Sequence, residues 1–282
     1  MWHGDAFDLD AYLARLGYEG DRTPTLETLR ALHRAHVLTL RWENIDAVLR
    51  QDVDLALDRL QAKLVDGARG GYCYEHVLLY AAALERIGFA FHGIQGRVQM
   101  GAEQARPKTH AMLLIEVDGK RWLSDVGFGT SPLVPIELTD STDVSDGVWR
   151  YRLRRREITP GADGYALYHP AREGETDNTG DGWTLRHTFT LAPHYPVDYR
   201  VGNHYVASNP HSPFSHRLFV QRIHPDRQYV LDNRTLYTLA PGAEPSHERR
   251  ELEATEVPKV LADVFGIELT PEDAELLLTK LV

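Results

Sequence analysis

The chain has 282 residues, 43% of them hydrophobic and 26% charged, which suits a soluble globular protein with a real core, built as one large domain or a few small units. A net charge of -10 argues against broad nucleic-acid binding and against attraction to anionic lipid, since both need a basic surface. One cysteine excludes an intramolecular disulfide framework and any multi-cysteine zinc or iron–sulfur centre.

The opening "MWHGDAFDLD" has no basic region followed by an apolar one, so no signal peptide is expected, and no apolar run is long enough to span a bilayer. With a single free cysteine, a reducing cytoplasm is the expected setting. The first ninety or so residues read as helices. In "TPTLETLRALHRAHVLTL", Thr23 is the predicted N-cap and Pro24 the first helical residue, with apolar positions at Leu26, Leu29, Leu32 and Val37. His33 and His36 in that helix have a spacing that suits a metal, but no carboxylate partner is evident, and they read as ordinary helix-surface residues. "DLALDRLQAKLV" repeats the pattern with Leu57, Leu60, Leu64 and Val65. "YEHVLLYAAALERIG" carries the widest apolar face and ends at Gly88, a natural C-terminal cap.

From Phe89 the period changes to two. "FAFHGIQGRVQM" and "THAMLLIEVDGKRWLSDVGFG" read as strands, with Asp118-Gly119 a strong hairpin signal. "WRYRLRRREI", "GYALYHP" and "WTLRHTFTL" follow as strands, "REGETDNTGDG" as a polar loop, and "QYVLDN" and "TLYTL" as further strands. Thr270 and Pro271 open a last helix, "TPEDAELLLTKLV". No repeat or low-complexity linker divides these parts, so they are expected to share one core. The fold class is α+β.

Cys73, in "RGGYCYEHV", falls at the start of the third helix, where free N–H groups and the helix dipole stabilise a thiolate. Gly70 and Gly71 let the chain turn tightly and leave room for a substrate. If Asp118-Gly119 is a two-residue turn, Ile115 faces Trp122, Met112 faces Asp125 and His110 faces Gly127. His110 and Asp125 are then diagonal neighbours on one face, which also carries Leu114 and Leu123 and so points to a core. Taken singly, Cys73 reads as an inert buried thiol, His110 as a satisfied core histidine and Asp125 as a cap. Jointly they read as nucleophile, base and orienting carboxylate.

"RGGYCYEH", "THAMLLIEV" and "SDVGFG", in that order and spacing, resemble the arylamine N-acetyltransferase family, in which Arg-Gly-Gly-x-Cys holds the catalytic cysteine and Asp-Val-Gly-Phe-Gly the aspartate. "RWENID" at 41–46, "GRV" at 96–98 and "DYRVGNHYVASNPHSPF" at 198–214 are similar to further family segments, and the likeness runs from about Leu9 to about Leu239. The resemblance implies an N-terminal helical bundle, a central antiparallel β-barrel and a C-terminal α/β lid around a Cys-His-Asp core like that of cysteine proteases. On this chain those parts are expected over residues 1–88, 89–195 and 196–282. It implies acetyl-CoA as co-substrate, no metal, and ping-pong transfer through Cys73 to a small aromatic amine, hydrazine or N-hydroxyarylamine. A homodimer is compatible with it, and neither nucleic acid nor a membrane is implied as a partner. By position it carries Trp42, Tyr72, Tyr74, Val98, Thr109, Gly127, Phe128 and Tyr205 to the acceptor pocket or its rim. Thr109, Gly127 and Gly129 go to the cofactor side. N–H groups near Cys73 and Tyr74 are the expected oxyanion donors. Three positions depart from the family pattern: Val77 stands where Asn is usual, Trp42 where Phe is usual, and "ASNP" replaces Ser-Thr-x-Pro.

Two other enzyme readings share these residues: an amide synthase taking an acyl chain from a carrier protein, and a Cys-His-Asp hydrolase of the papain or transglutaminase kind. A non-catalytic binding module fits least, because all three triad residues are present. "RYRLRRR" at 150–156 could meet CoA phosphates but reads better as a solvated strand face. "TDNTGDG" lacks the spaced ligands of a calcium loop and reads as a turn. "NRT" at 233–235 fits a glycosylation sequon, which carries little meaning without a secretory signal.

Overall fold

A computed structural model describes residues 2–281 apart from 103, 147–148, 173 and 242–245. The N-terminal part is helical: α1 Leu9–Leu16, α2 Leu26–Thr39, the two-residue strand β1 Trp42–Glu43, α3 Ile45–Val48, α4 Leu57–Leu60 with a wider π-type turn to Asp66, and α5 Cys73–Ile87. α2 starts two residues later than predicted. Thr23 gives its hydroxyl and N–H to Asp21, and Thr25 is the residue that caps, accepting from the Thr28 N–H at 3.2 Å. His33 and His36 are not surface residues, because both are fully buried. His33 bonds Ser124 Oγ and the Pro132 carbonyl, each at 2.8 Å. His36 lies in a chain from the Tyr12 hydroxyl through His36 and His76 to the Arg41 carbonyl. That carbonyl can only accept, so His76 carries its proton on Nε2, His36 donates from Nε2, and Tyr12 donates to His36 Nδ1. Burial holds His33 and His76 down to about 4.

In α5 only Glu85 and Arg86 escape full burial, so burial extends beyond the one wide apolar face and takes in Glu75 and His76. Gly88 ends it with φ 95°, its N–H bonding the Leu84 and Glu85 carbonyls.

Eight antiparallel strands follow: β2 Ala90–Val98, β3 Lys108–Val117, β4 Lys120–Ser124, β5 Ile136–Glu137, β6 Ser141–Ser145, β7 Arg150–Thr159, β8 Ala162–Pro170 and β9 Trp183–Phe189. Their order is β5-β4-β3-β2-β9-β8-β7-β6, a barrel-like sheet whose end strands make no ladder with each other among the described residues. The β3–β4 hairpin has the predicted register, from Val117↔Lys120 through Ile115↔Trp122 to Leu113↔Ser124. Asp118 and Gly119 take φ 52° and 71°, the left-handed pair of a type I′ turn.

The last part comprises α6 Pro196–Ser208, β10 Phe219–Ile223, β11 Gln228–Asp232, β12 Thr235–Ala240, β13 Ser246–Glu251, α7 Val257–Val260 and α8 Pro271–Leu278. Its sheet runs β1-β10-β11-β12-β13, so the helical part contributes a strand, with Trp42 opposite Gln221. The main core runs from Leu13 and Leu32 through Leu79 to Met112 and Leu153, common to helices and barrel. A second core, around Val220, Leu231, Leu261 and Phe265, also takes Ile45 and Val48. The parts therefore share two cores, not the single one expected. Among the described residues no helix is long and apolar enough to cross a membrane.

Candidate active site

Cys73 is the first residue of α5, and what holds it there is a buried ion network. Arg69 reaches Glu43 at 2.9 Å and Asp46 at 2.5 Å, while Lys63 reaches Asp46 and Glu75 at 2.6 Å each. Glu75 in turn accepts the Tyr72 N–H at 3.0 Å, pinning the turn that presents Cys73. This accounts physically for "RWENID" and for the Arg of "RGGYC". Burial, helped by Glu43, pushes the Glu75 carboxyl up to about 7 against the pull of Lys63.

The two glycines serve the same network, and the substrate room expected of them is taken by protein. A Cβ on Gly70 would strike the Arg41 carbonyl, and one on Gly71 would lie 2.7 Å from Glu75 Oε2.

His110 and Asp125 extend the β3–β4 hairpin just past its last paired residues, and they meet as the register predicted: His110 Nε2 lies 2.8 Å from Asp125 Oδ1, both side chains buried. Cys73 lies close enough to the imidazole to help raise its pKa. With Nε2 given to the carboxylate, Nδ1 is the nitrogen left for sulfur. Burial alone would lower the His110 pKa, but the charge and hydrogen bond of Asp125, with the Cys73 contact, outweigh it and carry the group up to about 9. Burial would raise Asp125, yet His110, followed by His187 and Arg186, holds it at about 2. The β2–β3 ladder shifts register between Gly96 and Arg97, leaving Thr109 as a bulge. The Thr109 carbonyl faces Cys73 Sγ at 3.5 Å.

The loop after Asp125 closes over the nucleophile. A Cβ on Gly127 would lie 2.8 Å from Cys73 Cα, so only glycine allows this approach. Gly129, at φ 95°, has Gln221 where its Cβ would be. Phe128 stands edge-on to His110 at 4.9 Å. Trp42 Nε1 donates to the Gly127 carbonyl at 2.7 Å, tying this loop to β1. Tyr72 is buried, and its hydroxyl donates to Asn203 of α6. Tyr74 is buried between Tyr72 and Tyr199. Val98 ends β2 opposite His187, and Tyr205 is half-buried on α6.

Sequence reasoning missed Asn203, Arg186 and His187. Asn203 joins α6 to the turn before Cys73 and also donates to the Val53 carbonyl at 2.9 Å. The buried Arg186 guanidinium lies 3.6 Å over the Phe128 ring and donates to Thr130; burial brings it down to about 10. His187 is fully buried, with Nε2 3.8 Å from Asp125 Oδ2. The one available signal was a histidine inside a strand-like run. "RYRLRRR" proves to be an ion-paired strand face: Arg152 meets Asp143 and Asp181, and Arg155 meets Asp140 and Asp163. A cavity of about 710 Å³ lies between residues 50–53 and α6, lined by Arg50, Asn203, His204 and His216, and none of the three triad candidates lines it.

A family model described as N-acetyltransferase matches residues 25–274. The arylamine N-acetyltransferase of Mycolicibacterium smegmatis is 38% identical over 271 residues, covering 94% of this chain and 93% of the relative. The solved arylamine N-acetyltransferase of Mycobacterium abscessus superposes with a TM-score of 0.94 at 55% identity, over 100% of this chain and 97% of that one. The Mycobacterium marinum enzyme, solved in complex with CoA, gives 0.85 at 32% identity, over 97% and 98%.

Proposed function

The chain belongs to the arylamine N-acetyltransferase family, and we propose that it moves an acetyl group from acetyl-CoA to an aromatic amine through a thioester on Cys73. The observation that carries this reading is a single buried imidazole, held on Nε2 by Asp125 and close enough to Cys73 for the two to interact. The sulfur attacks the acetyl-CoA carbonyl carbon while its proton rests on His110. The carbon–sulfur bond to CoA breaks, and His110 returns the proton to the leaving CoA sulfur. The amine nitrogen then attacks the carbonyl of acetyl-Cys73, sheds its proton to His110, and the bond to Cys73 breaks. Asp125 keeps a proton on Nε2 throughout, so Nδ1 is the working nitrogen.

The first N–H groups of a helix have no intrahelical acceptor, so those of Cys73 and Tyr74 serve as oxyanion donors. Trp42, Tyr72, Val98, Thr109, Phe128 and Tyr205 border the acceptor, and Thr109, Gly127 and Gly129 the thioester end of CoA. Hydrazines and N-hydroxyarylamines are accepted on the same chemistry. The reaction calls for no nucleic acid or membrane, and a free nucleophilic thiol suits a cytoplasmic setting. Initial rates over a grid of acetyl-CoA and arylamine concentrations are expected to give parallel double-reciprocal lines; intersecting lines would exclude the acetyl-enzyme.

Trp42→Phe removes the donor to the buried Gly127 carbonyl. It is expected to cost about 1–3 kcal/mol of stability and to raise relative rates with bulky amines, as the loop loosens beside a smaller ring. Unchanged melting and unchanged relative rates would free Trp42 of both roles.

A further inference from the structure

We propose that His110, Asp125 and His187 form a buried site for a divalent cation of the zinc class, and that occupation of this site switches acetyl transfer off. The ligand atoms of the three residues lie within 4.8 Å of one another, and all three side chains are buried. Among the described residues, Asp125 Oδ2 and both ring nitrogens of His187 have no hydrogen-bond partner. Each such buried atom is costly, and Asp125 Oδ2 and His187 Nε2, which approach each other without a hydrogen bond, call for a common partner. His187 Nε2 lies 3.8 Å from that Oδ2, and His110 Nε2 lies 2.8 Å from Oδ1. Zinc bonds of about 2.0–2.2 Å place tetrahedral neighbours roughly 3.3 Å apart, a spacing these two distances straddle. Two imidazoles and one carboxylate favour zinc, cobalt and similar ions over magnesium or calcium, which prefer oxygen ligands throughout.

Cys73 is not a ligand. It occupies the Nδ1 side of His110, and the ion replaces the proton on Nε2. The Arg186 guanidinium, stacked on a Phe128 ring that itself lies 5.4 Å from His187, opposes a cation and weakens the site without removing its ligands. Metal binding stands on the geometry alone; only the loss of transfer rests on the function proposed above.

The test is cobalt(II), a spectroscopic stand-in for zinc, titrated into the full-length protein. Visible d–d bands are expected to saturate at one equivalent without a thiolate-to-cobalt charge-transfer band, to persist in Cys73→Ala, and to fade when zinc is added. In His187→Gln, affinity is expected to fall more than about 100-fold, since even outer-shell partners of a metal are worth 10–100-fold. Should His187→Gln not fold by circular dichroism, wild type alkylated at Cys73 must still take one cobalt. A charge-transfer band that disappears in Cys73→Ala, bands untouched by a folded His187→Gln, or no bands at large cobalt excess would each overturn the proposal. Zinc at saturation is expected to abolish acetyl transfer. Cobalt bands in a protein that transfers no acetyl group at all would uphold the metal site and sink the enzymatic reading instead.

Discussion

Cys73→Ala is expected to remove acetyl transfer altogether and leave the protein folded. The nucleophile is the only sulfur nucleophile the chain possesses, since no second cysteine exists to substitute for it. In hydrolases that use a covalent nucleophile, losing that residue costs on the order of 10⁶ in kcat, and here the acetyl group would have no sulfur to move to. The structural cost is small. The turn before Cys73 is held by Arg69, Lys63 and Glu75, whose ion pairs and hydrogen bonds run to Glu43, Asp46, one another and the Tyr72 N–H rather than to the sulfur. Truncating one buried sulfur removes about 1 kcal/mol. Steady-state assay and thermal unfolding check both halves; residual turnover above background would remove the covalent intermediate from the mechanism.

Asp125→Asn is expected to lower kcat by about 10⁴, the loss seen when the orienting carboxylate of such a triad becomes an amide. A carboxylate can only accept, so it fixes the proton on His110 Nε2. An amide can present its NH₂ instead and stabilise the other tautomer, leaving Nδ1 protonated but the imidazole neutral. The pH profile separates this from a merely structural role. In the wild type His110 is raised to about 9, so the proton that the leaving CoA needs is present at neutral pH and lost as pH rises through that value. Without Asp125, burial dominates and draws the imidazole down, so the alkaline limb of kcat/KM moves to lower pH. A near wild-type rate with an unmoved limb would make Asp125 a structural residue.

The triad was legible because its parts are local. Asp118-Gly119 sets the register of residues 110–125 through a turn whose geometry two residues decide, and Cys73 lies at a helix start marked by Gly70 and Gly71. What supports the triad was not legible. Gly70 and Gly71 read as room for substrate, but the space is filled by the Arg41 carbonyl, brought there by tertiary packing, and by the Glu75 carboxylate, which folds back to cap its own helix. His33 and His36 read as surface because polar side chains on a helix usually are, whereas here Ser124, Pro132, Tyr12 and His76 satisfy them internally. Helix α6 went unseen because Val197, Val201, Gly202 and Val206 weaken helix propensity. Its Pro196 and the Asp198 side chain, which accepts the Tyr195 N–H at 2.8 Å, were the signals present. Gly202 is required there, since a Cβ would collide with the Tyr74 hydroxyl. His187 was hidden because β9 is buried on both faces, and period-two alternation then distinguishes nothing.

Intact mass of the protein mixed with acetyl-CoA and no amine tests the central claim most directly. The wild type is expected to gain one acetyl group, to lose it on adding an arylamine, and to gain none once Cys73 has been alkylated. A protein that stays unmodified while its thiol still reacts with an alkylating agent would contradict acetyl-CoA as the donor and direct attention to a carrier-bound acyl chain.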